Sequence, residues 1–112
     1  MRFYGLKNCD TCKKAQKALT GAGVSFEVID VRADGVPENL LADWVGTIGT
    51  EALVNRRSTT WRGLSEAEKE AADGPGAASL LSKHPTLMKR PVIVVDDAVY
   101  VGWSKDVQAA LL

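Results

Sequence analysis

The apolar positions change period along the chain, and each change marks an element. Phe3 and Tyr4 sit in a short extended run, Arg2 to Gly5, that predicts a buried strand. From Asp10 the spacing becomes helical, with Ala15, Ala18, Leu19 and Ala22 at i, i+3, i+4 and i+7. Asp10 and Thr11 suit the first turn by charge and by capping, and Gly21 and Gly23 stop the helix. Phe26 to Val31, β-branched and aromatic, predicts a second strand. Strand, helix and strand within about thirty residues form a βαβ unit, with parallel strands and a right-handed crossover.

The middle of the chain carries helical periods only. Arg32 to Pro37 is polar and contains glycine and proline, so it predicts a loop. From Glu38, an apolar stripe of Leu40, Leu41, Trp44, Val45 and Ile48 predicts a helix weakened at its end by Gly46 and Gly49. Ala52 to Val54 is a short apolar patch. Asn55 to Arg62 is basic and rich in hydroxyls, with little periodicity. Ser65 and Glu68 have the spacing of a capping box and open a further helix. Gly74-Pro75-Gly76 breaks the chain, and Ala77 to Lys83 predicts a short helix ended by His84-Pro85.

Strand character returns at Val92 to Val95, suited to an inner position. Asp96-Asp97 make a turn, Val99 to Val101 return as a partner strand, and Gly102 ends it. Ser104 caps a last helix with Val107, Ala110 and Leu111 on one face. The order is β-α-β, a helical insertion at about residues 37–85, then β-β-α. The expected fold class is α/β with a mixed four-stranded sheet. At 112 residues the chain fits one domain, residues 1–112, around one core.

Composition narrows the function classes. Fourteen basic residues balance fourteen acidic ones, so no net positive field recruits nucleic acid or an anionic membrane. No apolar run approaches the ~20 residues of a membrane span. The start of the chain lacks the charged, apolar and small-residue pattern of a signal peptide, so a cytoplasmic location is the expectation. There thiols stay reduced, and two cysteines three positions apart form a redox or metal motif before a structural disulfide. The single histidine, His84, and the absence of a second Cys pair argue against a zinc centre; no bound metal or cofactor is expected.

Chemistry concentrates in Asn8-Cys9-Asp10-Thr11-Cys12-Lys13-Lys14. The pattern places Cys9 where a strand gives way to a helix. The first turn of a helix offers unsatisfied N–H groups and the positive end of its dipole, and both favour a thiolate. Such a cysteine, or one in a Cys-x-x-Cys pair, ionises well below the free value of about 8.5 and becomes a nucleophile. Lys7, Lys13 or Lys14 would add to this if turned inward. The plain alternative for Cys9 is a small buried hydrophobe. Cys12, one turn on, either resolves a mixed disulfide or packs beneath the loop. A Cys-x-x-Cys beside a βαβ pattern points to a thioredoxin-like redox fold.

Together, Asn8-Cys9-x-x-Cys12-Lys13-Lys14-Ala15, Asn55-Arg56-Arg57 and His84-Pro85-x-Leu87-Met88-Lys89-Arg90-Pro91-Val92 resemble the arsenate reductase family, which has a thioredoxin-like fold. The nearest subgroup is the arsenate reductase-related, YffB-like proteins, and the Spx transcriptional regulators share the scaffold. The resemblance covers essentially the whole chain. It implies Cys9 as nucleophile, an anion-binding arginine at Arg56 or Arg57, with Asn55 also in register, and another at Arg90, with a cis Arg90-Pro91 bond. It implies glutathione or a glutaredoxin-like protein as reductant, and a small oxyanion or a disulfide as substrate. The family's third arginine, after the last hairpin, has no match here. Lys105 is the nearest cation and lacks arginine's bidentate fork, so little arsenate turnover is expected.

Beside that resemblance the remaining residues keep two readings. Asn8 braces the cysteine loop or serves its turn. Arg90, Arg56 and Arg57 hold a carboxylate or oxyanion, or are surface charges. Arg62, Thr59 and Thr60 read as surface or turn residues, and His84 as a cap or a solvated side chain. Trp61 and Trp103 flank these segments, with core packing the simpler role. Two functions follow. One is a cysteine-dependent thiol reductase. The other is an Spx-like redox regulator that binds RNA polymerase, with Cys9 and Cys12 as its switch and no direct contact to nucleic acid.

Overall fold

The computed structural model describes all residues, Met1–Leu112. They fall into two compact units, Met1–Asp34 with Arg90–Leu112, and Gly35–Lys89.

The first unit holds a four-stranded sheet in the order β2-β1-β3-β4, formed by β1 (Arg2–Gly5), β2 (Glu27–Asp30), β3 (Val92–Val95) and β4 (Ala98–Val101). β1 runs parallel to β2 and antiparallel to β3, and β3 and β4 form the hairpin. The sheet is mixed, as expected, and with α1 (Asp10–Gly21) and α7 (Lys105–Leu111) it gives the thioredoxin-like arrangement. Phe3 pairs with Ile93, and Ile93 with Tyr100, so these three share one face. Cys12, Ala15 and Leu19 of α1 complete that core with Phe3 and Ile93, all five fully buried. Burying each large apolar side chain contributes roughly 1.5–3 kcal/mol. The core therefore fixes which face of α1 turns inward, and Cys12 lies on it.

Both ends of α1 have local causes. Gly23 takes φ 77°, while Val24 N–H reaches Leu19 O and Gly23 N–H reaches Thr20 O, each at 3.0 Å. This is a Schellman stop. Asp10 and Thr11 lie in the first turn as expected, with Asp10 its acidic residue, but the N-cap is Cys9 itself. Ala22 is exposed beyond the last turn rather than on the buried stripe, and on α7 only Val107 is buried. Arg90-Pro91 is cis.

The second unit is helical: α2 (Glu38–Ile48), α3 (Thr50–Leu53), α4 (Thr59–Arg62), α5 (Glu66–Ala71) and α6 (Ala77–Lys83), followed by a 3-10 turn, Pro85–Leu87. α2 packs on α6, with Leu41, Trp44, Leu80 and Leu81 buried. The Ser65–Glu68 capping box forms with both of its bonds. Two helices lie where little periodicity was visible. α3 and α4 are single turns of four residues, too short for a hydrophobic period, and α4 is set by Ser58, whose Oγ accepts the Trp61 N–H. No helix is long and apolar enough to cross a membrane.

Candidate active site around Cys9

β1 delivers the chain to the sheet's end, and Leu6-Lys7-Asn8 turns it into α1. Cys9 N–H donates to Leu6 O at 3.3 Å, closing that turn. Cys9 keeps an extended backbone (φ −95°, ψ 115°) while its carbonyl accepts the Lys13 N–H at 3.0 Å. Its sulfur takes the position an aspartate or serine oxygen usually fills, accepting the Cys12 N–H at 3.4 Å. The cap that the pattern assigned to Asp10 and Thr11 is thus made by the nucleophile candidate.

The two thiols are opposite in chemistry. Burial pushes the Cys9 thiol up, but donation from the Cys12 thiol and backbone, with the Arg90 guanidinium bonding to the sulfur, outweighs it. Cys9 therefore ionises below its ordinary range and is partly exposed. Cys12 is fully buried. Burial, then its bond to the Cys9 sulfur, push its thiol up to about 12, against the Leu6 N–H and Arg90. Cys12 is thus a neutral donor toward an anionic Cys9. The two are separate thiols, not a disulfide.

A cavity of about 400 Å³ opens beside the sulfur. Asn8, Cys9 and Arg90 line it, together with Leu6 and Lys7 from the turn. Asp30 and Arg32 complete the lining. Of the residues picked out from sequence, Asn8, Cys9, Arg90 and Lys7 are therefore brought together. Cys12 lies beneath them, and Pro91 is buried next to Arg90. Lys13 lines an adjoining cavity that shares Leu6, Lys7 and Asp30.

Arg32 and Asp30 went unnoticed in the sequence, where they looked like a loop and a strand end. Asp30 Oδ1 accepts the N–H groups of Arg32 at 2.8 Å and Ala33 at 2.9 Å, an Asx turn that places Arg32 on the cavity. The readable signal was an aspartate ending a strand with its acceptors two and three residues on. The Ala33 and Arg32 N–H groups, aided by Lys7 and the Arg32 charge, hold the Asp30 carboxyl below its ordinary range.

Asn55, Arg56 and Arg57 lie in the second unit around a cavity of about 440 Å³, with Glu51, Val54 and Lys89. Asn55 is structural: its Oδ1 accepts the Arg57 N–H at 3.1 Å and its N–H bonds Leu87 O at 2.8 Å. Arg56 pairs with Asp73 and lies over the Trp61 ring, 5.4 Å from its centroid. Trp61 is half-buried beneath two cations, Arg56 and Lys69, rather than a core residue. Trp103 does pack on the Phe3 core. Arg57 is exposed. His84 is the C-cap of α6, one of the two readings it carried, and its partly exposed side chain meets Glu68 Oε2 through Nε2 at 3.0 Å. Lys105 is exposed in the first turn of α7.

Comparison with known proteins adds four findings. The family model described as "ArsC family" matches residues 4–111. An uncharacterised protein of Haemophilus influenzae is 44% identical over 108 residues, covering 96% of this chain and 95% of the relative. A YffB protein of solved structure superposes with a TM-score of 0.91 at 36% identity, covering 99% of this chain and 97% of the other. More distantly, the global transcriptional regulator Spx of Streptococcus pyogenes is 25% identical, covering 94% of this chain and 79% of the regulator.

Proposed function

The chain belongs to the ArsC family, and from that premise we propose that it is a glutathione-linked thiol reductase acting through Cys9. The observation that carries this reading is the Cys9 sulfur: partly exposed, beside a cavity, and stabilised as an anion by Cys12 and Arg90. The thiolate attacks the glutathionyl sulfur of a mixed disulfide. A Cys9–glutathione disulfide forms and the other half leaves as a thiolate, which takes a proton from water. A second glutathione thiolate attacks the glutathionyl sulfur held on Cys9. Glutathione disulfide leaves and the Cys9 thiolate returns, so the mixed disulfide and one free glutathione become the released thiol and glutathione disulfide, the released sulfur being reduced as the free glutathione sulfur is oxidised.

Glutathione rather than Cys12 supplies the second thiol. A group pushed up to about 12 is ionised to the order of one part in 10⁵ at pH 7, and Cys12 has no exposed surface. Asn8 and Arg90 border the approach to the sulfur, and Arg90 balances the charge of the Cys9 thiolate. Arsenate is not the preferred substrate, because the third arginine of the family is missing and Lys105 is a point charge. The working compartment is the reducing cytoplasm. Cys9→Ser is expected to abolish glutathione-dependent reduction of a mixed disulfide, while Cys12→Ser retains it. Full activity in Cys9→Ser would sink the reading.

A second reading rests on the Cys9-x-x-Cys12 pair and the likeness to Spx. Here a Cys9–Cys12 disulfide switches binding to RNA polymerase. Capture of purified polymerase by only one redox form supports it, and equal or absent capture removes it.

A further inference from the structure

We propose that Arg32 is a specificity-determining residue of the Cys9 site, selecting disulfides that carry a carboxylate near the sulfur. The proposal rests on the thiol reductase reading above and adds to it the residue that chooses among disulfides.

One cavity gathers most of the charge around Cys9. Its lining holds three cations, Lys7, Arg32 and Arg90, and two acidic groups, Asp30 and the Cys9 thiol. Arg90 acts on the Cys9 sulfur by hydrogen bond and by charge. Lys7 acts on the Asp30 carboxylate, with Arg32 contributing after it. With Cys9 ionised, two negative charges face three positive ones. One positive charge remains for a ligand, and Arg32 is in none of the ion pairs of the chain.

The backbone then explains why Arg32 stays at the cavity. Asp30 Oδ1 binds the Arg32 N–H at 2.8 Å and the Ala33 N–H at 2.9 Å. Asp34 Oδ2 in turn accepts the Asp30 N–H at 3.1 Å, and Asp34 N–H donates to Asp30 O at 2.9 Å. Four bonds within five residues fix the turn, and all of them use backbone N–H groups. The Arg32 side chain is needed for none of them. A long guanidinium held on a fixed turn, beside a nucleophilic sulfur, suits a planar carboxylate. Glutathione is one such ligand, but the chemistry selected is the carboxylate and not the tripeptide.

Three disulfides with two-carbon arms test this: dithiodipropionate (anionic), bis(2-hydroxyethyl) disulfide (neutral) and cystamine (cationic). The readout is the rate of mixed-disulfide formation on Cys9 by mass spectrometry, for the wild type, Arg32→Met and Arg32→Glu. Arg32→Met is expected to slow dithiodipropionate about fivefold and to leave the neutral probe within about twofold, the scale of one partly exposed charged contact. Arg32→Glu should widen that loss and speed cystamine. Both variants keep the N–H that Asp30 binds, and an unchanged melting temperature verifies the fold. Equal slowing of all three probes, or no change with any, overturns the assignment of Arg32 while the reductase reading stands. A wild type whose Cys9 reacts with none of the three overturns the reductase reading, and this proposal with it.

Discussion

Two cysteines three residues apart end with opposite proton affinities because one sulfur is a cap and the other is core. Cys9 receives the Cys12 N–H and thiol at the open end of α1. Cys12 points from the same helix into the Phe3–Leu19–Ile93 cluster, where a thiolate would lose its solvation. The proton therefore stays on Cys12, and Cys9 carries the charge. Cys12→Ala removes the S–H donor but keeps the backbone N–H. The midpoint of Cys9 alkylation by iodoacetamide should then move up in pH, toward the free-thiol value of about 8.5, and its rate at pH 7 should fall. Cys12→Ser restores a hydroxyl donor and should recover part of the shift. The sign follows from the anion losing a hydrogen bond that its protonated form did not need. An unmoved midpoint in Cys12→Ala would show that Arg90 and the helix end act alone. None of this opposition was visible in the motif, which gives spacing but not which sulfur the core claims.

At the scale of elements, the tightest constraint on the site lies at the end of β1. A Cβ on Gly5 would stand 2.9 Å from Cys12 Sγ and 3.0 Å from Phe3 Cε1. Both neighbours are fully buried in the core, so neither can retreat into solvent. Gly5→Ala is expected to destabilise by roughly 1–3 kcal/mol, the usual cost of overpacking. Adding Cys12→Ala removes the closest atom. The double variant should therefore be more stable than the sum of the singles predicts, by an amount that a denaturant double-mutant cycle resolves. Strict additivity would mean that the strain is taken up elsewhere. Most elements were legible: the four strands, α1, α2, α5, α6 and α7 follow period, caps and glycine stops. Gly5 was read only as a strand end, because close approach is a property of the packed pair and leaves no trace in the period. The single-turn helices α3 and α4 escaped for a related reason, since four residues cannot express a 3.6-residue repeat. Arg32 escaped because an Asx turn is set by one side chain and resembles any polar loop.

Across the whole molecule, fourteen positive and fourteen negative side chains cancel, so distant ligands meet almost no net field. The positive charge is local instead, with Lys7, Arg32 and Arg90 around one cavity. That distinction sets the form of the salt dependence. A protein with large net charge steers ligands over tens of ångströms, and screening removes most of its advantage at low ionic strength. A neutral protein with a cationic pocket acts only within about one pocket width. The Debye length is ~30 Å at 0.01 M, ~10 Å at 0.1 M and ~3 Å at 1 M. Screening should therefore reach such a pocket mainly above about 0.1 M. The reaction of Cys9 with dithiodipropionate is expected to change little between about 0.01 and 0.1 M salt and to fall severalfold toward 1 M. The neutral hydroxyethyl disulfide should stay nearly flat throughout, because it has no charge to screen. Stopped-flow or quenched mass-spectrometric rates along one salt series check this. A loss concentrated below 0.1 M would mean that a field larger than the pocket recruits the anion, and the local arrangement of Lys7, Arg32 and Arg90 would not be its source.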